Sequence, residues 1–296
     1  MSDAGPELPP PPAAAPWVHP GPPWPPELPS GADPLPKWPA WYGIAAFIVA
    51  LICISVVIAI LVAATGADAE DPSPVATIIG TVIQDALLVG AAVLFASFVR
   101  RPKAWHFGLR RTRLWPAVGW ALLGLVSYYV FAGVYSAIVS PEGEQTVAQD
   151  LGVEDGLGLE IAAAFVIIWL APVTEEIFFR GFFYRSLRNR FSIWVAALLG
   201  GVLFGVIHYS GSDTLAILPI LGVLGAIFCL VYEKTGSLYP VIALHGFNNT
   251  LAFIVAADGS PGIAVAFGVS LLVGCVLAPR YLGGGAPPLP GVVSRV

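Results

Sequence analysis

Two adjacent carboxylates, Glu175 and Glu176, stand in the apolar stretch WLAPVTEEIFFRGFFYR, residues 169–185, with Arg180 four residues beyond the second. Residues four apart share a helical face, so Glu176 and Arg180 can pair. Glu175 is turned from Glu176 by about 100° and faces elsewhere. One acid can be held by the arginine while the other is left for a cavity. Pro172 removes a backbone hydrogen bond just before them and is expected to bend the helix. The four-residue spacing recurs downstream, in Phe204 and His208 of FGVIH and in His245 and Asn249 of HGFNN. Singly, these read as an acid–arginine staple, a satisfied core histidine and an interhelical hydrogen bond. Together they are the parts for activating water. Glu175 can take a proton as general base, and Asn249 with a histidine can donate to a developing oxyanion. Glu175, His208 and His245 also amount to a three-ligand zinc set with an open position. A metal-free water is preferred, because no third histidine or aspartate completes a dedicated zinc shell. Both routes end in hydrolysis of an amide.

The elements that must position these groups are membrane helices. Of 296 residues, 57% are hydrophobic and only 11% charged, less than half the roughly 25% typical of soluble domains. The mean hydropathy is +0.80. Such a chain cannot cover a water-facing surface, so the expected fold class is all-α, a polytopic membrane helical bundle. A span needs about 20 apolar residues. Eight stretches qualify, near 41–64, 75–99, 115–140, 161–184, 192–209, 214–232, 238–256 and 261–278. The expected domains are a disordered proline-rich tail over 1–40, the bundle over 41–279 with its core near 160–256, and a short C-terminal tail over 280–296. Trp17, Trp24 and Trp38 lie among the prolines, where a tethered tail is the simpler reading than a docking segment.

With eight spans, all fourteen Lys and Arg residues fall on one side. The positive-inside rule then puts both termini in the cytoplasm, and an integral plasma (inner) membrane location is expected. Counting from those ends at 1.5 Å per residue puts Glu175 roughly 20 Å deep, His208 roughly 25 Å, His245 roughly 12 Å and Asn249 roughly 18 Å. Helix tilt covers that spread, so the four are expected to meet in one pocket. The basic loop 100–113 most simply meets anionic headgroups, and no nucleic-acid partner is expected. Gln84 and Asp85 read as supporting hydrogen-bond groups, and Tyr128, Tyr129 and Tyr135 as packing. Cys53, Cys229 and Cys275 lack CxxC partners and read as small buried hydrophobes.

EEIFFR (Glu175 to Arg180), FGVIH (Phe204 to His208) and HGFNN (His245 to Asn249), in that order, resemble the three motifs of the CAAX-protease and bacteriocin-processing family of intramembrane proteases. The resemblance covers roughly residues 160 to 256. It implies that Glu175 activates water with the aid of His208. It further implies that Glu176 and Arg180 support the site, and that His245 and Asn249 bind the oxyanion. The implied substrate is a membrane-associated peptide or protein in the lipid bilayer. The rival reading is a non-enzymatic membrane protein, transporter-like or with an immunity or scaffold role. The inverted repeats common in transporters are not evident in this chain.

Overall fold

The computed structural model describes residues 36–66, 72–141, 146–257 and 261–282. Trp17, Trp24 and the remainder of the expected N-terminal tail up to residue 35 lie outside them, as does most of the expected C-terminal tail. The described chain is helical, with α1 Ala40–Thr65, α2 Pro74–Ser97, α3 Leu114–Val139, α4 Leu157–Arg188, α5 Ile193–Val206, α6 Leu218–Thr235, α7 Tyr239–Ala256 and α8 Pro261–Leu282. Seven of these are long and apolar enough to cross a membrane. α5 is the exception. At 14 residues it is about 21 Å long, short of the roughly 30 Å hydrocarbon core. The expected span 192–209 ran on to Tyr209, but the helix ends at Val206 and the chain unwinds around His208.

Outer helices carry their large apolar side chains outward, among them Ile48, Ile52, Ile60, Leu122 and Val130. Lipid, not water, is the solvent that such a surface matches. α4 has the opposite character. Phe178, Phe179, Phe182, Phe183 and Tyr184 are all buried, so α4 forms the centre against which the other helices pack. At its basic end Glu233 of α6 receives Tyr184 Oη at 2.9 Å and Arg188 Nη2 at 2.9 Å. The arginine also offers Nε to the same carboxylate at 3.2 Å. A fork of this kind fixes orientation as well as distance.

Glycine sets the approach of α5 to α6. A Cβ on Gly201 would overlap the Gly222 carbonyl and come within 2.8 Å of Ala226 N. One on Gly205, a turn later, would lie 2.8 Å from Leu218 O. This is the small-residue contact by which membrane helices approach without a hydrophobic drive. Gly201→Val is expected to cost at least about 1–3 kcal/mol through overpacking. Thermal unfolding in detergent would read this as a lowered midpoint.

Three expectations are revised. Trp38, assigned to the tail, is buried under the bundle. Its ring lies 5.0 Å from Phe182 and 5.4 Å from Phe107, and its carbonyl accepts from Asn189 Nδ2 at 2.8 Å. The basic loop is not merely a headgroup ribbon. Trp105, His106, Phe107 and Arg110 are buried. Tyr232 Oη donates to Phe107 O at 3.1 Å, Ser237 Oγ to Arg110 O at 2.7 Å and Leu238 N to Gly108 O at 2.8 Å. The loop thus seals the α6–α7 turn, and burial lowers the pKa of the Arg110 guanidinium. Among the cysteines, all free, Cys229 is buried but Cys53 is exposed on the outer face of α1.

Candidate active site

The two acids sit between two loosened stretches of α4. Residues Phe165–Leu170 and Ile177–Tyr184 wind as π-helix, flanking a short α segment that holds Glu175 and Glu176. Such windings are rare and gather at functional sites. Pro172 explains part of the first. Ala171 N–H bonds to Val166 O, five residues back. In that register the next carbonyl, Ile167 O, would take its hydrogen from residue 172, and proline has none. Asn249 Nδ2 of α7 donates to Ile167 O at 2.8 Å instead. The side chain replaces the missing backbone donor and pins α7 to α4 at the break. Asn249→Leu is therefore expected to destabilise by about 1 kcal/mol. In a Pro172→Ala background, which restores the N–H, the loss should shrink. A double-mutant cycle on unfolding free energy measures that coupling.

Glu176 is fully buried, and its Oε1 accepts from both Arg180 Nη1 and His245 Nδ1 at 2.8 Å. Arg180, also fully buried, gives Nη2 to Gly225 O at 3.0 Å. Its guanidinium lies 4.4 Å from the Phe204 ring centre and 4.9 Å from that of Phe228, a cation–π sandwich. The expected Glu176–Arg180 staple is present, and it extends to a third member, His245, on another helix. Glu175 is half-buried, and its buried Oε2 has no hydrogen-bond partner.

His208 Nδ1 lies 2.7 Å from Phe204 O. A carbonyl only accepts, so Nδ1 carries the proton and Nε2 presents a lone pair. The Phe204 ring lies between the histidines, 4.8 Å from His208 and 5.9 Å from His245. Arg180, His208 and His245 thus surround the Phe204 ring, and Glu176 links Arg180 to His245. Glu175 stands beside Glu176 on α4, and Asn249 lies one turn from His245 on α7. The structure does not put His245 and Asn249 side by side with both free, since each already holds part of α4. Among the described residues no group of three His, Cys, Asp or Glu side chains is placed to hold a metal ion. Nδ1 of both histidines meets a protein oxygen, which leaves each Nε2 as the nitrogen that would face a ligand.

One acid of the site was given only a supporting part. Asp85 of α2 is buried, leaves Oδ2 without a partner, and interacts with Thr174, Glu175 and His245. Its location in an apolar span was the available signal, since intramembrane acids are functional candidates by default. Asn248 accepts from Tyr129 Oη at 3.1 Å, so that tyrosine does more than pack.

Fold and site together define a polytopic helical membrane protein with a polar cluster sunk into its bundle. Residues 157–251, about a third of the chain, match the family model described as type II CAAX prenyl endopeptidase Rce1-like. The chain is 27% identical over 137 residues to the Bacillus subtilis (strain 168) protein named "Putative membrane peptidase YdiL", covering 46% of this chain and 50% of that one. It is 29% identical over 155 residues to UPF0177 protein YxdF of Lactococcus lactis subsp. lactis (strain IL1403), covering 49% of this chain and 83% of that one. An uncharacterized 24.3 kDa protein of Escherichia coli is 31% identical over 96 residues, or 44% of its length. The chain thus spans only half of YdiL. No solved structure matches it.

Proposed function

We propose that the protein is an intramembrane endopeptidase that hydrolyses peptide bonds in membrane-associated peptide or protein substrates, using a metal-free water. The membrane is the plasma membrane and both termini lie in the cytoplasm, an arrangement that requires the short α5 together with the loop after it to complete an eighth crossing. The observation that carries this reading is the division between the two acids. Glu176 is held through Oε1 by Arg180 and His245, although its Oε2 is left unpartnered, whereas Glu175 joins no ion pair and keeps its buried Oε2 without a partner.

In the proposed reaction Glu175 takes one proton of a water while His208 Nε2 accepts a hydrogen bond from the other. The water oxygen attacks the peptide carbonyl carbon, and the carbonyl electrons move onto its oxygen. His245 Nε2, protonated and balanced by Glu176, donates to that oxyanion together with the second N–H of Asn249. Glu175 then returns its proton to the leaving nitrogen as the C–N bond breaks. The test is cleavage of a library of lipidated and unmodified membrane peptides by the purified protein, with and without a zinc chelator. Cleavage that survives the chelator supports the reading. Cleavage lost with chelator and restored by zinc overturns the metal-free step, and no cleavage of any library member overturns the activity.

A further inference from the structure

We propose that a groove between α3, α7 and α8 is a binding site for one anionic phospholipid, with the acyl chain inside and the phosphate at the basic end of the bundle. The inference stands apart from the peptidase reading. The groove has a volume of about 400 Å³ and is walled by Ala117 and Ala121 of α3, Ala243 of α7, and Leu272 and Val276 of α8. α3 and α7 begin here and α8 ends here, so the three meet at the level of the Lys- and Arg-bearing loops. Ala243 and His245 are two residues apart on α7, about 200° around the helix. The groove therefore lies on the opposite face of α7 from the polar cluster.

Three features specify the occupant. In a membrane protein, an apolar groove open at the side is filled by hydrocarbon, which makes an acyl chain the natural content. At its mouth stand Arg111 and Arg280, both exposed and lining the groove. Arg111 gives Nε and Nη2 to Pro279 O and Arg280 O at 3.0 Å, the last carbonyls of α8. Neither arginine pairs with a carboxylate among the described residues. Two unneutralised guanidiniums at headgroup depth suit a phosphate. Finally, Tyr239 also lines the groove. It is only 7% exposed, and its buried hydroxyl has no hydrogen-bond partner. An orphan donor on a residue that lines the groove is matched by the ester oxygens that join a phospholipid's headgroup to its chains.

The test is native mass spectrometry of the full, delipidated protein in detergent, titrated with dioleoyl phosphatidylglycerol or dioleoyl phosphatidylcholine. Wild type should retain the anionic lipid about tenfold better, as expected for a charge-assisted contact. Arg280→Gln should abolish most of that preference. It is chosen over a change at Arg111, which also ties α8. Ala121→Phe, which fills the groove and leaves both guanidiniums, should weaken phosphatidylglycerol binding about tenfold, and Tyr239→Phe should weaken it less. Thermal unfolding of each variant without lipid checks that it folds. Equal retention of the two lipids by wild type would overturn the proposal. So would phosphatidylglycerol binding untouched by Ala121→Phe, which would reveal surface charge attraction with no groove.

Discussion

Glu175→Gln is expected to lower peptide-bond hydrolysis by about 10³-fold or more, in the upper part of the range for loss of a general base, while leaving the protein folded. The amide is the same size as the carboxyl but cannot take a proton from water. Glu175 has a buried oxygen without a partner, so the exchange breaks little that holds helices together. Glu176→Gln differs in kind. It removes the charge that Arg180 and His245 share and should lower the unfolding midpoint as well as the rate. Measuring kcat beside thermal unfolding for both variants separates chemistry from support. If Glu175→Gln kept normal turnover, the assignment of the base would fail. If both variants lost activity only through unfolding, the division between the acids would fail instead.

Arg180→Met should destabilise the bundle by about 3–5 kcal/mol, the cost of removing one member of a buried ion pair. Arg180 and Glu176 are both fully buried. The change leaves the Glu176 charge with His245 alone, frees Gly225 O, and empties the space between Phe204 and Phe228. Adding Glu176→Gln should recover part of the loss, because the uncompensated charge goes with it. Unfolding free energies of the two single variants and the double variant measure this coupling directly. Simple additivity would show that the pair acts independently, against the geometry.

What could be read in the sequence was what lies within a helix. Glu176 and Arg180 pair because four residues make about one turn, and His208 turns back onto Phe204 O for the same reason. The spans were legible because lipid demands long apolar runs. The links between helices were not, because they depend on how each helix is rotated, which spacing does not encode. His245 was matched with Asn249 on its own helix, yet its hydrogen bond goes to Glu176, sixty-nine residues away. Asn249 in turn closes the gap left by Pro172. Asp85 reaches the site only because α2 packs against the middle of α4. Trp38 looked like tail because prolines surround it, and composition does not say which indole finds a socket. The shortness of α5 depended on where the helix unwinds, beyond the reach of hydropathy.

The two π windings in α4 carry a consequence for how this chain tolerates change in length. Each widened turn holds more residues than an α turn, so the phase of α4 is reset on both sides of the acids. Deleting one residue between 177 and 184 would let that stretch tighten to ordinary α winding. With one residue fewer in a winding that holds more residues per turn, the segments on either side would keep nearly their present phase, with Tyr184 and Arg188 towards Glu233 and the acids towards His245. The same deletion in the ordinary α winding of this helix would instead turn everything beyond it by about 100°. Loops between spans can lengthen or shorten with little penalty. Within α4 it is the place of the lost residue that matters.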